Sequence, residues 1–141
     1  MSEGLQGSLA FAGTLLFLLG LLTGAGIPFF RGPRIGLSAH VAAIQSGLAL
    51  IAVAWLGGRL VLSDAWAAAI AHGLWISLYV LWMGLVFAAI YGTGHTLPLA
   101  GKGLAAARWQ ELTAAALIGG ASLASALAFA ALLFQWSWRA A

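Results

Sequence analysis

The sequence predicts an all-α integral membrane protein, an antiparallel four-helix bundle forming one transmembrane domain over residues 1–141. Two observations carry that prediction. The chain is 63% apolar with only 6% Asp, Glu, Lys or Arg, against about 25% charged residues in soluble domains, so its few charges cannot cover a water-exposed surface. Those charges are also confined to a few positions, which leaves four uncharged stretches long enough to cross about 30 Å of hydrocarbon.

The spans follow in order at about 5–30, 35–57, 65–91 and 112–136. No charge lies between Glu3 and Arg31, and no Lys or Arg precedes this run, so span one is expected to be retained rather than cleaved as a leader. Arg31-Gly32-Pro33-Arg34 breaks the helix and starts span two, which carries His40. A short turn, 58–64, leads into span three with His72. Residues 92–111 form the one sizeable loop, rich in Gly and holding His95, Pro98, Lys102 and Arg108. Arg31, Arg34, Lys102 and Arg108 lie on one side against Arg59 and Arg139 on the other, which favours cytoplasmic first and third loops, expected at a bacterial inner membrane. Trp55, Trp66, Trp109, Trp136 and Trp138 fall near span ends, where an amphipathic ring prefers the headgroup level. Gly20 and Gly24 of span one, and Gly119, Gly120, Ser122, Ser125 and Ala126 of span four, allow close backbone approach within or between subunits.

The chain has no Cys, which excludes disulfides, thiolate zinc sites, iron–sulfur clusters and covalent haem attachment. The scattered basic residues do not form a nucleic-acid patch. Glu3, Asp64 and Glu111 sit at or beyond span ends, so neither a mid-membrane carboxylate for proton-coupled export nor a catalytic carboxylate pair is present. The polar groups left inside the spans are chiefly His40, His72, Gln45, Ser46, Ser77 and Tyr79.

His40 lies roughly 8 Å below its membrane face at 1.5 Å per residue. Gly36, Ala43 and Gly47, at i−4, i+3 and i+7, share its helical face and make a flat strip beside the imidazole. Such a strip gives clearance for a porphyrin, and noncovalent haem b is the cofactor a Cys-free chain could hold. The same small residues equally allow two helices to touch while His40 hydrogen-bonds across them. In span three His72, Trp75, Tyr79 and Trp82 share one helical face. That aromatic wall suits a planar apolar substrate or a developing cation, or simple packing against a neighbour. The two imidazoles enter from opposite faces and differ in depth by roughly 10 Å, which favours one axial His over a bis-His site.

The segment from Arg31 through His40 to Gly47, and the later Ile90-Tyr-Gly-Thr-Gly-His-Thr-Leu-Pro-Leu-Ala-Gly101, resemble the hydroxylaminobenzene mutases and, more distantly, styrene oxide isomerase. The likeness runs over essentially the whole chain. It implies a membrane isomerase acting on a small aromatic substrate, and the styrene oxide branch implies a homotrimer binding haem b between subunits through the His matching His40. That branch carries an Asn six residues after its haem His, where this chain has Ser46 preceded by Gln45, and its helix-three Tyr falls near Leu85, a turn and a half beyond Tyr79. These departures place the chain nearer the mutases.

The expected reaction is arylhydroxylamine to 2-aminophenol with haem iron as Lewis acid. Gln45, Ser46 and Tyr79 are the candidate catalytic groups, and His72, Trp75 and Trp82 the candidate substrate contacts. His40, Gly36, Ala43 and Gly47 are the candidate cofactor contacts. Epoxide-to-aldehyde isomerisation is the alternative within the same architecture. A haem-carrying electron-transfer subunit and a small transporter are the alternatives from other classes.

Overall fold

The computed structural model describes residues 1–59 and 62–134. Four long helices follow one another: α1 over Glu3–Gly26, α2 over Pro33–Gly57, α3 over Asp64–Tyr91 and α4 over Arg108–Phe134. A single 3-10 turn, Ile27–Phe29, follows α1. At 1.5 Å per residue the shortest, with 24 residues, spans about 36 Å, and all four are long and apolar enough to cross a membrane. The fold is therefore the expected all-helical bundle. Span four begins earlier than expected, because Arg108 to Glu111 already belong to α4. The Gln110 side chain turns back to accept from the Ala107 amide at 2.9 Å, satisfying a donor just ahead of the helix. Trp136, Trp138 and Arg139 lie outside the described residues.

The helix ends follow from local chemistry. Ser2 and Ser63 cap α1 and α3 through their hydroxyls. Pro33 opens α2, where its missing N–H costs nothing. Gly92 ends α3 with φ 69°, a left-handed conformation that suits glycine.

α1 and α2 form one antiparallel hairpin, α3 and α4 another, and α2 packs on α3. α1 also touches α3, whereas α4 has α3 as its close helical neighbour among the described residues. The main core runs through Leu9 and Leu16 of α1, Leu50 and Val53 of α2, and Ile70, Leu74 and Leu78 of α3. A smaller cluster, Ile35, Ala88, Ala89 and Ala114, lies toward the end where the first and third loops emerge.

That end is pinned by hydrogen bonds from both main chain and side chains. The Gly32 amide donates to the Ala89 carbonyl at 2.9 Å. The Arg31 guanidinium donates to the carbonyls of Tyr91 and Ala105 at 3.4 and 3.3 Å. Thr96 donates through its amide and hydroxyl to the Glu111 carboxylate at 2.8 and 2.7 Å, and the His95 amide adds a third bond at 3.2 Å. The long loop is thereby folded back onto the start of α4.

Candidate active site

His40 sits half-buried in the α1–α2 seam. Its Nδ1 lies 2.7 Å from the Gly20 carbonyl oxygen. A carbonyl only accepts, so Nδ1 carries the hydrogen, and in the neutral ring Nε2 then bears the lone pair. Fixing one ring nitrogen on a main-chain carbonyl is how a ligating imidazole is held in tautomer and orientation. Gly24 makes room for the ring: a Cβ there would stand 2.6 Å from Nδ1 and 2.8 Å from Cε1. Nε2 bonds to no described residue and is not sealed in the interior. The exposed Leu37 and Val41 beside it put that edge on the outside of the bundle.

The strip beside His40 is not free for a plate. α1 lies on it, with the Gly13 and Gly47 backbones in direct approach and Gly20 against Ala43, while the Phe30 ring covers Gly36. The residues expected to give a porphyrin clearance serve as a helix crossing in this chain, because flat strips on two helices attract each other by close packing. His40 as a single-nitrogen ligand fits haem b. Gly36, Ala43 and Gly47 do not fit as its bed within one chain. Among the described residues no three His, Asp or Glu side chains gather as a metal cage.

The aromatic wall of α3 faces α1. His72 and Trp75 are 6.4 Å apart between ring centroids, and Trp75 meets Tyr79 edge-on at 6.0 Å. Tyr79 Oη donates to the Ala12 carbonyl at 2.8 Å, and Trp82 Nε1 donates to Thr23 Oγ1 at 3.0 Å. Thr23 in turn donates to Leu19 O at 2.7 Å. His72 Nδ1 donates to Ala68 O at 2.7 Å, leaving its Nε2 as an acceptor. Between Ser8, Phe11, Ala12 and Leu15 of α1 and His72, Trp75 and Tyr79 of α3 lies a cavity of about 350 Å³, within the range of small-molecule pockets.

These parts occupy two flanks of α1. The cavity meets α1 about ten residues below the Gly20–Gly24 turn that holds His40, roughly 15 Å along the axis. The two imidazoles do not face each other, as their depths required. Trp82 alone of the aromatic wall reaches the level of His40, since Thr23 belongs to the same turn of α1. Gln45 is exposed on the outer face of α2 and Ser46 is buried on the inner one, so neither joins His40. Leu85 is buried in α3. Sequence reasoning missed Gly20, Gly24 and Thr23 as partners of His40 and Trp82, and the α1 side of the cavity. Gly24 and His40 are equidistant from Gly32 at the hairpin tip, a register signal that could have paired them.

The family model described as styrene oxide isomerase matches residues 5–137. Hydroxylaminobenzene mutase HabA of Ectopseudomonas oleovorans is 38% identical over 93 residues, covering 66% of this chain and 69% of that protein. Hydroxylaminobenzene mutase HabB of the same organism is 35% identical over 132 residues, covering 92% of this chain and 78% of that protein. No solved structure matches the chain. With four membrane-length helices and a family match spanning nearly all of them, the chain belongs to the styrene oxide isomerase family and is by that membership an isomerase.

Proposed function

We propose that the chain rearranges an arylhydroxylamine to a 2-aminophenol, using a haem b held by His40 in a homotrimer. Two relatives named hydroxylaminobenzene mutase support the substrate class. The single structural observation that carries the cofactor is the Gly20 carbonyl at 2.7 Å from His40 Nδ1, which leaves Nε2 as an outward-facing lone pair. Bound there, haem iron would supply Lewis acidity toward the departing hydroxylamine oxygen.

The reaction is redox-neutral: an N–O bond breaks, a C–O bond forms at the ortho carbon, the ortho hydrogen leaves as a proton and nitrogen gains one. The chain's own residues divide the work between the flanks of α1. The α1–α3 cavity captures the apolar ring from the bilayer, with Trp75 as an edge-on wall and His72 Nε2 as acceptor for the substrate N–H or O–H. Ring rearrangement takes place at the outward His40 edge, while Trp82, tied to Thr23 at the same depth on the α3 flank, braces α1 from the other side. Gln45 on the outer face of α2 reaches a pocket only when a neighbouring subunit covers that face, which is the role the trimer plays here. Ser46 and the strip at Gly36, Ala43 and Gly47 hold the scaffold.

The test is an absorption spectrum and turnover assay on detergent-purified protein. A Soret band that His40→Ala abolishes together with activity is the expected outcome. A haem-free wild type that still rearranges substrate would refute the ligand assignment. The family model match also supports a second reading, epoxide-to-aldehyde isomerisation at the same edge; feeding both substrates to one preparation separates them.

A further inference from the structure

A second cavity, of about 310 Å³, opens at the end of the bundle where the first and third loops meet. Arg31, Arg34 and Lys102 line it together with Pro33, Ala100 and Leu104. Arg31 is committed to the carbonyls of Tyr91 and Ala105, so it braces the wall. Arg34 and Lys102 form no hydrogen bond or ion pair through their charged ends among the described residues. No carboxylate lines the cavity. Glu111, the acid nearest along the loop, has its two oxygens taken by His95 and Thr96, and Glu3 and Asp64 begin α1 and α3 at the opposite end of the bundle.

Two exposed side chains lie close to lining residues along the chain. Phe29 is 89% and Leu99 91% exposed, one on the turn after α1 and the other on the long loop. Fully bared aromatic and aliphatic groups at a membrane face belong against acyl chains. Exposed cations and apolar residues lining one opening, with bared acyl-seeking side chains two residues before Arg31 and one before Ala100, match the chemistry of a phospholipid.

We propose that this cavity binds the phosphate of an anionic phospholipid, with Arg34 and Lys102 as the headgroup contacts, Arg31 as the structural brace, and Phe29 and Leu99 against the acyl chains. The site is separate from His40 and from the aromatic cavity, so it stands whether or not haem binds. Each cation near an anionic lipid surface adds roughly a fivefold preference, so two converging on one phosphate give a preference for phosphatidylglycerol over phosphatidylcholine on the order of tenfold or more.

The test uses the full chain in neutral detergent, titrated with short-chain phosphatidylglycerol, short-chain phosphatidylcholine or inorganic phosphate. Lipid retention is read by native mass spectrometry and stabilisation by the shift in Tm. Phosphatidylglycerol is expected to be retained and to raise Tm. Arg34→Gln/Lys102→Gln is expected to lose that preference about tenfold or more, while Arg59→Gln at the opposite face keeps it. If the double variant does not fold, Lys102→Gln alone, on the loop, is expected to lose a few-fold. Equal retention of both lipids by the wild type, equal loss in Arg59→Gln, or an undiminished preference in the Lys102 variant overturns the proposal. Inorganic phosphate that matches the lipid's effect also overturns it, by making the site one for a free anion.

Discussion

The two flanks of α1 are packed by opposite means. Toward α2 the contact is between backbones: Gly13 against Gly47 and Gly20 against Ala43, with the His40 ring seated where Gly24 has no side chain. Toward α3 it is made by large rings, whose polar tips are tied to α1 at Ala12 O and Thr23 Oγ1. Small residues leave no gap, whereas rigid rings touching at edges and tips do, and the cavity of about 350 Å³ is on the ring side. In a membrane both solutions are available because water does not drive the helices together; dispersion contacts and hydrogen bonds across the seam do. The difference teaches where each kind of site can form. A fixed, single-orientation ligand needs the tight flank, and a ring-shaped guest needs the loose one.

The largest effect is expected on the tight flank. A Cβ at Gly13 would stand 2.7 Å from the Gly47 carbonyl oxygen and 3.0 Å from the Ile51 amide nitrogen. Both are backbone and cannot swing aside. Gly13→Leu should therefore separate α1 from α2 and cost about 3 kcal/mol or more, the upper end of overpacking penalties, read as a lowered Tm in detergent micelles. An unchanged Tm would mean that the crossing is looser than its geometry.

Gly24→Ala comes next. The obstructing neighbour is the His40 imidazole, a side chain that can rotate, so the cost should fall to about 1–2 kcal/mol. The rotation breaks the bond to Gly20 O, and if His40 is a metal ligand, cofactor retention should fall about 10- to 100-fold, as for other losses of an outer partner. A variant that loses stability and keeps its Soret band would separate packing from ligation on this flank.

Much of this was legible in the sequence, and the reasons are local. Four uncharged runs fix four helices because hydrocarbon tolerates few alternatives. The wall at His72, Trp75, Tyr79 and Trp82 follows from the helical period alone, and the Gly20/Gly24 pair marks a close approach wherever it lands. The partners were not legible. Gly36, Ala43 and Gly47 read the same whether they face a porphyrin or a glycine-lined helix, and only the register of the α1–α2 hairpin decides. Tyr79 read as a candidate catalytic group, yet its bond to Ala12 O depends on how α3 rotates against α1, which no pattern within α3 contains. Span four shows the remaining gap: a Cβ at Gly119 or Gly120 would meet nothing within 4 Å in this chain, so their smallness is not what brings α4 against α3.

On the loose flank the hydrogen-bonded tips should matter moderately. Tyr79→Phe removes the donor to Ala12 O and keeps the ring, for a loss of about 0.6 kcal/mol, the average for a hydrogen bond between membrane helices. Trp82→Phe should cost more, because it also gives up part of the indole's packed area. Measured by thermal unfolding, a Tyr79→Phe loss comparable to Gly13→Leu would erase the contrast between the flanks. A fall in turnover far beyond the stability change would instead place the Tyr79 hydroxyl on the substrate.

The smallest effect on stability and the sharpest on function are expected at Trp75. Its ring is 36% exposed, forms the edge-on contact with Tyr79 and lines the cavity. Trp75→Leu keeps an apolar surface toward lipid and breaks no hydrogen bond. Its unfolding should therefore stay within about 0.5 kcal/mol of wild type, as for surface changes away from special features. The cavity, however, loses its flat wall. If it is where an aromatic ring is captured before rearrangement at the His40 edge, KM should rise several-fold with kcat nearly unchanged, the signature of lost ground-state binding. A matched fall in kcat would mean that chemistry takes place beside Trp75 itself, moving the reaction from the tight flank of α1 to the loose one.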